Sequence, residues 1–160
     1  MVVAQVPLEE IYRRAARGTT AAAVILDEQQ RVLLVKHSYG PLNWEIPGGA
    51  AEPDETPTQT ALREVREETG LAVIAESLSG IYYERKAAGF EVLHFVFYCR
   101  LTDPSAHPAP SSPEITQCAF WPLDGLPRPI TDFTLLRIRG AVDGVPGLLP
   151  LSIDKPRILT

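Results

Sequence analysis

Gly49-Ala50-Ala51-Glu52-Pro53-Asp54-Glu55-Thr56-Pro57-Thr58-Gln59-Thr60-Ala61-Leu62-Arg63-Glu64-Val65-Arg66-Glu67-Glu68-Thr69-Gly70-Leu71 is the stretch that decides how this 160-residue chain is read. Thr56 is suited to an N-cap, Pro57 to a first helical turn and Gln59 to the return half of a capping box, while Gly70 supplies a stop. The spacing therefore predicts a helix from about Pro57 to Thr69. At about 100° per residue, Ala61, Leu62, Val65 and Thr69 fall on one side, and Glu64, Glu67 and Glu68 share an arc of about 100° on another. Like charges three and four residues apart repel by about 0.2–0.5 kcal/mol per pair, so this acidic face needs compensation. Arg63, four residues before Glu67, offsets part of the repulsion. A divalent cation offsets more, because Mg²⁺ or Mn²⁺ prefers the hard oxygen donors that carboxylates, carbonyls and water provide. The plainer alternative is a solvated charged face.

Pro47-Gly48-Gly49 stops the short extended segment Asn43-Trp44-Glu45-Ile46 just before this stretch, and its two glycines admit backbone conformations closed to other residues. Further upstream, Thr19 to Asp27 and Arg31 to His37 are rich in Val, Ile and Leu around the polar Glu28-Gln29-Gln30, which predicts a hairpin of two largely buried strands. Pro7 to Ala15, with Leu8, Ile11, Tyr12 and Ala15 at helical spacing and Gly18 as stop, predicts an N-terminal helix. Downstream, Ala72 to Tyr83 and Phe90 to Leu101 read as strands around the polar turn Glu84 to Gly89. The proline-bearing run Thr102 to Pro113 reads as a surface loop and Thr116 to Trp121 as one more strand. Thr131 to Val142 suggests a closing helix, and the Pro/Gly-rich tail from 145 to 160 has no assignment. Several strand pairs are joined too tightly for helical crossovers, so the expected architecture is α/β with a mixed β-sheet flanked by helices, in a single domain spanning 1–160.

The run Gly49, five residues, Glu55, seven residues, Arg63-Glu64-Val65-Arg66-Glu67-Glu68-Thr69-Gly70-Leu71 resembles the signature box of the Nudix hydrolases, MutT-like enzymes, at all nine specified positions. That resemblance implies the family's α/β/α sandwich, and a hydrolase that cleaves the pyrophosphate bond of a nucleoside diphosphate linked to another group. It implies Glu64, Glu67 and Glu68 as ligands of Mg²⁺ or Mn²⁺, helped by a main-chain carbonyl of the Gly48-Gly49 loop, here taken as Gly49. Arg63 and Glu55 would orient them, with Glu55 able to touch metal through water. A bound cation clamps phosphate oxygens and activates water, so no nucleophilic Ser or Cys is needed. The general base implied by the resemblance is a box glutamate or one on a later loop, for which Glu114 is a candidate.

Outside the box, several residues could meet substrate. Arg85 and Lys86 sit at a hairpin turn, and Lys36 and His37 end a strand. Trp44, Tyr82 and Tyr83 could stack on a base or belong to the core, and Trp44 stands close enough to the Gly48-Gly49 turn either to face a nucleobase or to brace the loop. His94 lies in an alternating strand and is expected to pack or hydrogen-bond there. Lys36, Trp44, Arg85 and Glu114 are taken forward as substrate-contacting positions. Members of the family it resembles that cleave ADP-ribose often carry a proline some fifteen residues beyond the box; this chain has none between Leu71 and Pro104, which by that resemblance disfavours an ADP-ribose specialist. The upstream segment Val32 to His37 lacks the leucine- and arginine-bearing pattern of coenzyme A enzymes. A nucleoside triphosphate or related derivative is the favoured substrate, with ADP-ribose or a nucleotide sugar as the alternative. A non-catalytic nucleotide-sensing module is the alternative of another class, disfavoured because it has no need of a carboxylate cluster. An isoprenoid diphosphate isomerase expects an altered box and a placed cysteine.

Composition bounds the rest. Hydrophobic residues at 45% suffice for the core of one ordinary domain. Fifteen Lys and Arg against twenty Asp and Glu give a net charge of −5, which disfavours stable binding to nucleic acid or anionic membrane. Local carboxylates can still hold a cation and reverse the potential where a phosphate sits. Cys99 and Cys118 show no metal-ligand spacing and are expected to be buried, reduced thiols. No signal-peptide pattern or membrane-length apolar run is present, so a cytoplasmic protein is expected, with a homodimer left open.

Overall fold

Ala, Val and Ile in the first strand and Val and Leu in the second fill both alternating faces, and this double burial shapes the fold. In the computed structural model, which describes residues 17–86, 89, 91–144, 147–153 and 157–160, β1 (Gly18–Ile25) and β2 (Arg31–His37) do not pair as the expected hairpin. Asp27 closes the turn between them, its Oδ1 accepting from the amides of Gln29 at 3.0 Å and Arg31 at 2.8 Å. A single bridge, Leu26 to Val32, follows before the strands diverge into different sheets. A strand buried on both faces needs cover on both sides, and divergence lets each strand sit inside its own sheet with helices packed around it.

The chain continues through β3 (Trp44–Glu45), β4 (Gly48–Ala50), α1 (Pro57–Thr69), β5 (Val73–Arg85), β6 (Glu91–Leu101), β7 (Ile115–Pro122), β8 (Ile130–Thr131), α2 (Asp132–Val142), β9 (Gly147–Ile153) and β10 (Ile158–Leu159). One sheet runs β4-β1-β6-β5-β9 and the other β10-β8-β3-β2-β7. Both are mixed: β1 lies parallel to β6 but antiparallel to β4, and β3 lies parallel to β8 but antiparallel to β2. The fold is thus α/β with mixed sheets flanked by helices, the expected single sheet being split in two. The strands β9 and β10 fall in the tail that sequence left unassigned. The expected N-terminal helix, Pro7 to Ala15, lies outside the described residues.

Alternation along β1 divides the core. Ala21, Ala23 and Ile25 face Ala61 and Val65 of α1, together with Leu33 and Phe97. Ala22 and Val24 face the other way, toward Val96, Ile130 and the α2 residues Phe133 and Ile138. Val65 is fully buried, and burying a valine side chain stabilises a fold by about 1.5–3 kcal/mol, which anchors α1 with its opposite edge turned toward the Gly48-Gly49 loop. Both cysteines are free, Cys99 buried and Cys118 half-buried, and burial pushes their thiols up to about 12 and about 11. Among the described residues no helix is long and apolar enough to cross a membrane.

Candidate active site

The start of α1 is fixed by the local chemistry its sequence advertises. Thr56 accepts from the Gln59 amide at 3.3 Å, and Gln59 Oε1 accepts from the Thr56 amide at 2.9 Å, which completes the capping box. Gly70 closes the helix in the left-handed conformation at φ 72°. With both ends set, Arg63 projects to the centre of a carboxylate group. Its Nε donates to Glu55 Oε1 at 2.7 Å and its Nη2 to Glu55 Oε2 at 3.0 Å. Nη1 reaches Glu64 Oε1 at 2.8 Å and Glu67 Oε2 at 3.0 Å, and Nη2 also donates to the Ala50 carbonyl at 3.0 Å. One guanidinium therefore ties three glutamates of the box to Ala50 at the end of β4, using the planar, five-donor geometry that lysine lacks.

The glycine pair acts through closeness. Neither Gly48 nor Gly49 has a positive φ, so the expected special backbone conformation is not what they supply. A Cβ on Gly49 would overlap the Glu64 carboxylate, and one on Gly48 would overlap the β1 backbone at Ala21 and Ala22. The Gly48 amide donates to Glu68 Oε2 at 3.0 Å. Glu68 is only 6% exposed, so the acidic face of α1 is not uniformly solvated: Glu67 points outward while Glu68 turns in beneath the loop. Burial pushes the Glu68 carboxyl up to about 8, against the pull of the Gly48 amide, and the nearby charges of Glu64, Glu45 and Glu114 add to the rise. Glu64 is also raised, by burial first, with Arg63 opposing. Glu55 behaves oppositely, held down at about 2 by the Arg63 hydrogen bonds and the Glu52 amide.

Among the described residues no three carboxylate, imidazole or thiol groups stand close enough to enclose a cation, since Glu64 and Glu67 are drawn to Arg63. The donor set nevertheless suits a divalent ion. It is all hard oxygen, it carries crowded negative charge that a cation would relieve, and the side-chain-free edge at Gly49 leaves its backbone open against Glu64. The residues present fit Mg²⁺ or Mn²⁺, with Glu64, Glu67, Glu68 and the Gly49 carbonyl as the oxygens on offer.

Beside this group a cleft of about 370 Å³ opens between the sheets. Gly48 and Gly49 border one part of it, and Thr20, His94 and Glu84 border another. Its walls are tied by two networks. Glu45 Oε1 accepts from Arg137 Nη2 at 2.7 Å and from the Ile46 amide at 2.9 Å, while Oε2 accepts from Thr134 Oγ1 at 2.8 Å. His94 meets Thr20 Oγ1 through Nδ1 at 2.7 Å and Glu84 Oε2 through Nε2 at 2.8 Å, and Lys86 pairs with the same Glu84 oxygen at 2.7 Å. Phe133 packs edge-on to His94 with ring centres 5.0 Å apart, under the Arg137 guanidinium at 3.9 Å. Tyr39 stacks on His37 at 4.9 Å and stays 53% exposed on the cleft wall.

The sequence-derived positions divide. Arg63, Glu55, Glu64, Glu67, Glu68 and Gly49 come together. Trp44 does not border the cleft. Its indole is 4% exposed and packs edge-on to Trp121 at 5.4 Å, so it braces β3 from the core and is not free to stack on a base. Lys36 lies over the Trp44 ring at 5.9 Å and also stays outside the cleft, as does the exposed Arg85, whose neighbour Lys86 is the basic residue that borders it. Glu114 is exposed and is likewise not among the residues that border the cleft, though it is near enough to raise Glu64 and Glu68, and its carbonyl accepts from the Ser38 amide at 2.8 Å. Tyr82 is buried, and Tyr83 donates to Glu91 at 2.6 Å. Sequence reading passed over Tyr39, Glu45, Phe133 and Arg137, whose meeting depends on contacts some ninety residues apart that no local spacing announces.

Comparison with known proteins agrees with this geometry. A family model described as the NUDIX domain matches residues 16–137. A MutT-like protein of Streptomyces ambofaciens is 32% identical over 127 residues, covering 79% of this chain and 78% of that protein. A Homo sapiens protein named 8-oxo-dGDP phosphatase is 32% identical over 119 residues, covering 72% of this chain but only 36% of its own length. The structure of a NUDIX hydrolase from Nitrosomonas europaea superposes with a TM-score of 0.66 at 29% identity, over 81% of this chain and 90% of that one. With the family model spanning most of its length and the box glutamates gathered around Arg63, the chain belongs to the Nudix hydrolase family.

Proposed function

We propose that this pyrophosphohydrolase cleaves a nucleoside triphosphate or a related nucleotide derivative, with Mg²⁺ or Mn²⁺ held by Glu64, Glu67, Glu68 and the Gly49 carbonyl. The observation that carries the reading is the Arg63 hub, which presents the box glutamates beside Gly48-Gly49 at the edge of a nucleotide-sized cleft. When bound, the cation neutralises phosphate charge and lowers the pKa of water. The chain's own residues do the rest. Glu55 and Arg63 fix the orientation of Glu64 and Glu67, and the Gly48 amide fixes Glu68. The cleft takes the nucleoside, and Tyr39 offers the exposed ring on which a base can stack. In this reading Glu114, whose charge acts on Glu64 and Glu68, accepts a proton from the attacking water. The human relative, an 8-oxo-dGDP phosphatase by name, favours oxidised guanine nucleotides among the first substrates to try.

The deciding experiment is a screen of nucleoside triphosphates, 8-oxo-dGTP, 8-oxo-dGDP, ADP-ribose and nucleotide sugars with Mg²⁺ or Mn²⁺, run for the native chain and for Glu67→Gln. Glu67 is exposed, so the substitution should change stability by no more than about 0.5 kcal/mol while lowering turnover by a hundredfold or more. Turnover that survives both EDTA and Glu67→Gln rejects the reading.

A further inference from the structure

Two carboxylates border the cleft, and they differ in what they have left to offer. Glu45 spends both oxygens, on Arg137, the Ile46 amide and Thr134. Glu84 does not: both His94 and Lys86 contact its Oε2, and Oε1 has no hydrogen-bond partner among the described residues. Nor is that oxygen sealed in the protein. Trp121 Nε1 is the buried side-chain polar atom without a partner among the described residues, so Glu84 Oε1 keeps a solvent-facing surface although the residue as a whole is only 3% exposed. Glu84 is one of the residues that border the cleft.

The sheet sets how far this oxygen lies from the phosphate end. In the order β4-β1-β6-β5, the glycine loop is on β4 and Glu84 is on β5, three strand spacings or about 14 Å across the sheet, and the register Gly49–Ala21–Phe95–Ile81 leaves Glu84 three residues or about 10 Å further along, about 17 Å in all. A substrate with its phosphates at Gly48-Gly49 that lies across β1 and β6 brings its nucleoside end to Glu84. The carboxylate is also held in place. Lys86 supplies a counter-charge, and His94, braced by Thr20 on its other nitrogen and by Phe133 at its edge, fixes the Oε2 side so that Oε1 stays presented. An ionised carboxylate oxygen only accepts hydrogen bonds, so it favours a group that donates and repels one that presents a lone pair.

We infer that Glu84 is a specificity-determining residue whose Oε1 accepts a hydrogen bond from the nucleoside, either from an N–H on the base edge or from a ribose hydroxyl. The inference rests on the cleft being the nucleotide site. A substrate bearing the donor is retained, and one lacking it leaves Oε1 facing an unpaired or repulsive atom, which is how a polar pocket discriminates between close analogues.

The test is calorimetric binding of α,β-methylene triphosphates of guanosine, 2′-deoxyguanosine, inosine and adenosine in Mg²⁺, to the native chain and to Glu84→Gln and Glu84→Asp. Native protein should prefer one member of a pair by tenfold or more. Guanosine over inosine assigns the donor to the base amine, and guanosine over 2′-deoxyguanosine assigns it to the sugar. Glu84→Gln should collapse that ratio toward one, and Glu84→Asp, which keeps the charge on a shorter arm, should retain part of it. Affinities of the native chain that agree within twofold across the set overturn the inference, as does a Glu84→Gln loss equal for every analogue, since a merely structural residue weakens all alike. Discrimination in binding without turnover of the parent nucleotides rejects the hydrolytic reading and leaves Glu84 in its role; turnover without discrimination removes Glu84 alone.

Discussion

Arg63 grips Glu55 through two parallel bonds, Nε to Oε1 at 2.7 Å and Nη2 to Oε2 at 3.0 Å, while Nη1 reaches Glu64 and Glu67 and Nη2 also meets the Ala50 carbonyl. The pairing explains a spacing that looks arbitrary in sequence. Glu55 precedes α1 and Arg63 follows it by two helical turns, so a fork can close only when the loop between Gly49 and Thr56 folds back on the helix. Glu55 helps that fold, its Oε2 also accepting from the Glu52 amide at 3.0 Å and from Thr60 Oγ1 at 2.9 Å. The loop, the helix and the acidic group are thereby one unit.

Arg63→Lys should therefore be a poor substitute despite keeping the charge, because an ammonium cannot hold Glu55 at two points while reaching Glu64 and Glu67. Loss of such an outer partner lowers metal affinity or activity by about 10–100-fold. Titrating Mn²⁺ and a non-hydrolysable nucleotide separately should show the metal affinity falling first. Unchanged metal affinity with weakened nucleotide binding would reassign Arg63 to the substrate.

Trp44→Ala tests the brace. The indole is buried between β3 and Trp121, and emptying such a site costs about 3–5 kcal/mol. Thermal unfolding should fall sharply, and turnover should fall alike on nucleotides and on a base-free polyphosphate. A selective rise in KM for nucleotides, with stability kept, would restore the stacking role.

How much of this was legible beforehand follows from the range of each interaction. The ends of α1 were readable because Thr56, Gln59 and Gly70 act on backbone within a few residues of themselves. The β5–β6 hairpin was readable for the same reason, its strands alternating up to a polar turn, with Tyr82 opposite His94. The separation of β1 from β2 was not, since apolar runs look alike whether two strands pair with each other or with distant partners, as β1 does with β6. At the site, the cluster around Arg63 was visible as a one-helix pattern. The cleft was hidden because it is assembled from residues of seven strands, the loop after β2 and α2, and Trp44, weighed for the base or for a brace, sits on the buried side of its strand while Tyr39 lies in the loop just after β2.

Tyr39 should then carry the stacking effect expected of an exposed ring. It is 53% exposed and rests on His37 with the planes 10° apart, so its removal leaves no cavity. Stacking of a base on an aromatic side chain contributes about 1–3 kcal/mol. Tyr39→Ala should raise KM for nucleotides by roughly 5–150-fold at that energy, with kcat on a base-free polyphosphate and the unfolding temperature both nearly unchanged. Equal losses on the two substrate types would remove Tyr39 from the nucleoside site.

His94 predicts how the fold responds to acid. Burial pushes its imidazole down to about 4, with the Arg137 charge lowering it further and Glu84 opposing. An unfolded chain returns the ring to its ordinary value of 6.5, so between about pH 4 and pH 6.5 the unfolded state binds the extra proton. Stability attributable to His94 is therefore complete above pH 6.5 and is lost as the pH falls toward 4. A shift of this size corresponds to a loss on the order of 3 kcal/mol. The groups that face the ring are Glu84 and Lys86 on its hydrogen-bonded side, and Arg137 with the uncharged Phe133 from α2. His94→Gln keeps an amide able to meet both Thr20 and Glu84 but cannot take up a proton. Chemical denaturation at closely spaced pH values should show native stability declining from pH 6.5 to pH 4, and the His94→Gln curve should be flatter over that window by about the same amount. Parallel curves for the two proteins would assign the acid sensitivity to other groups and put the imidazole's folded value near its ordinary one.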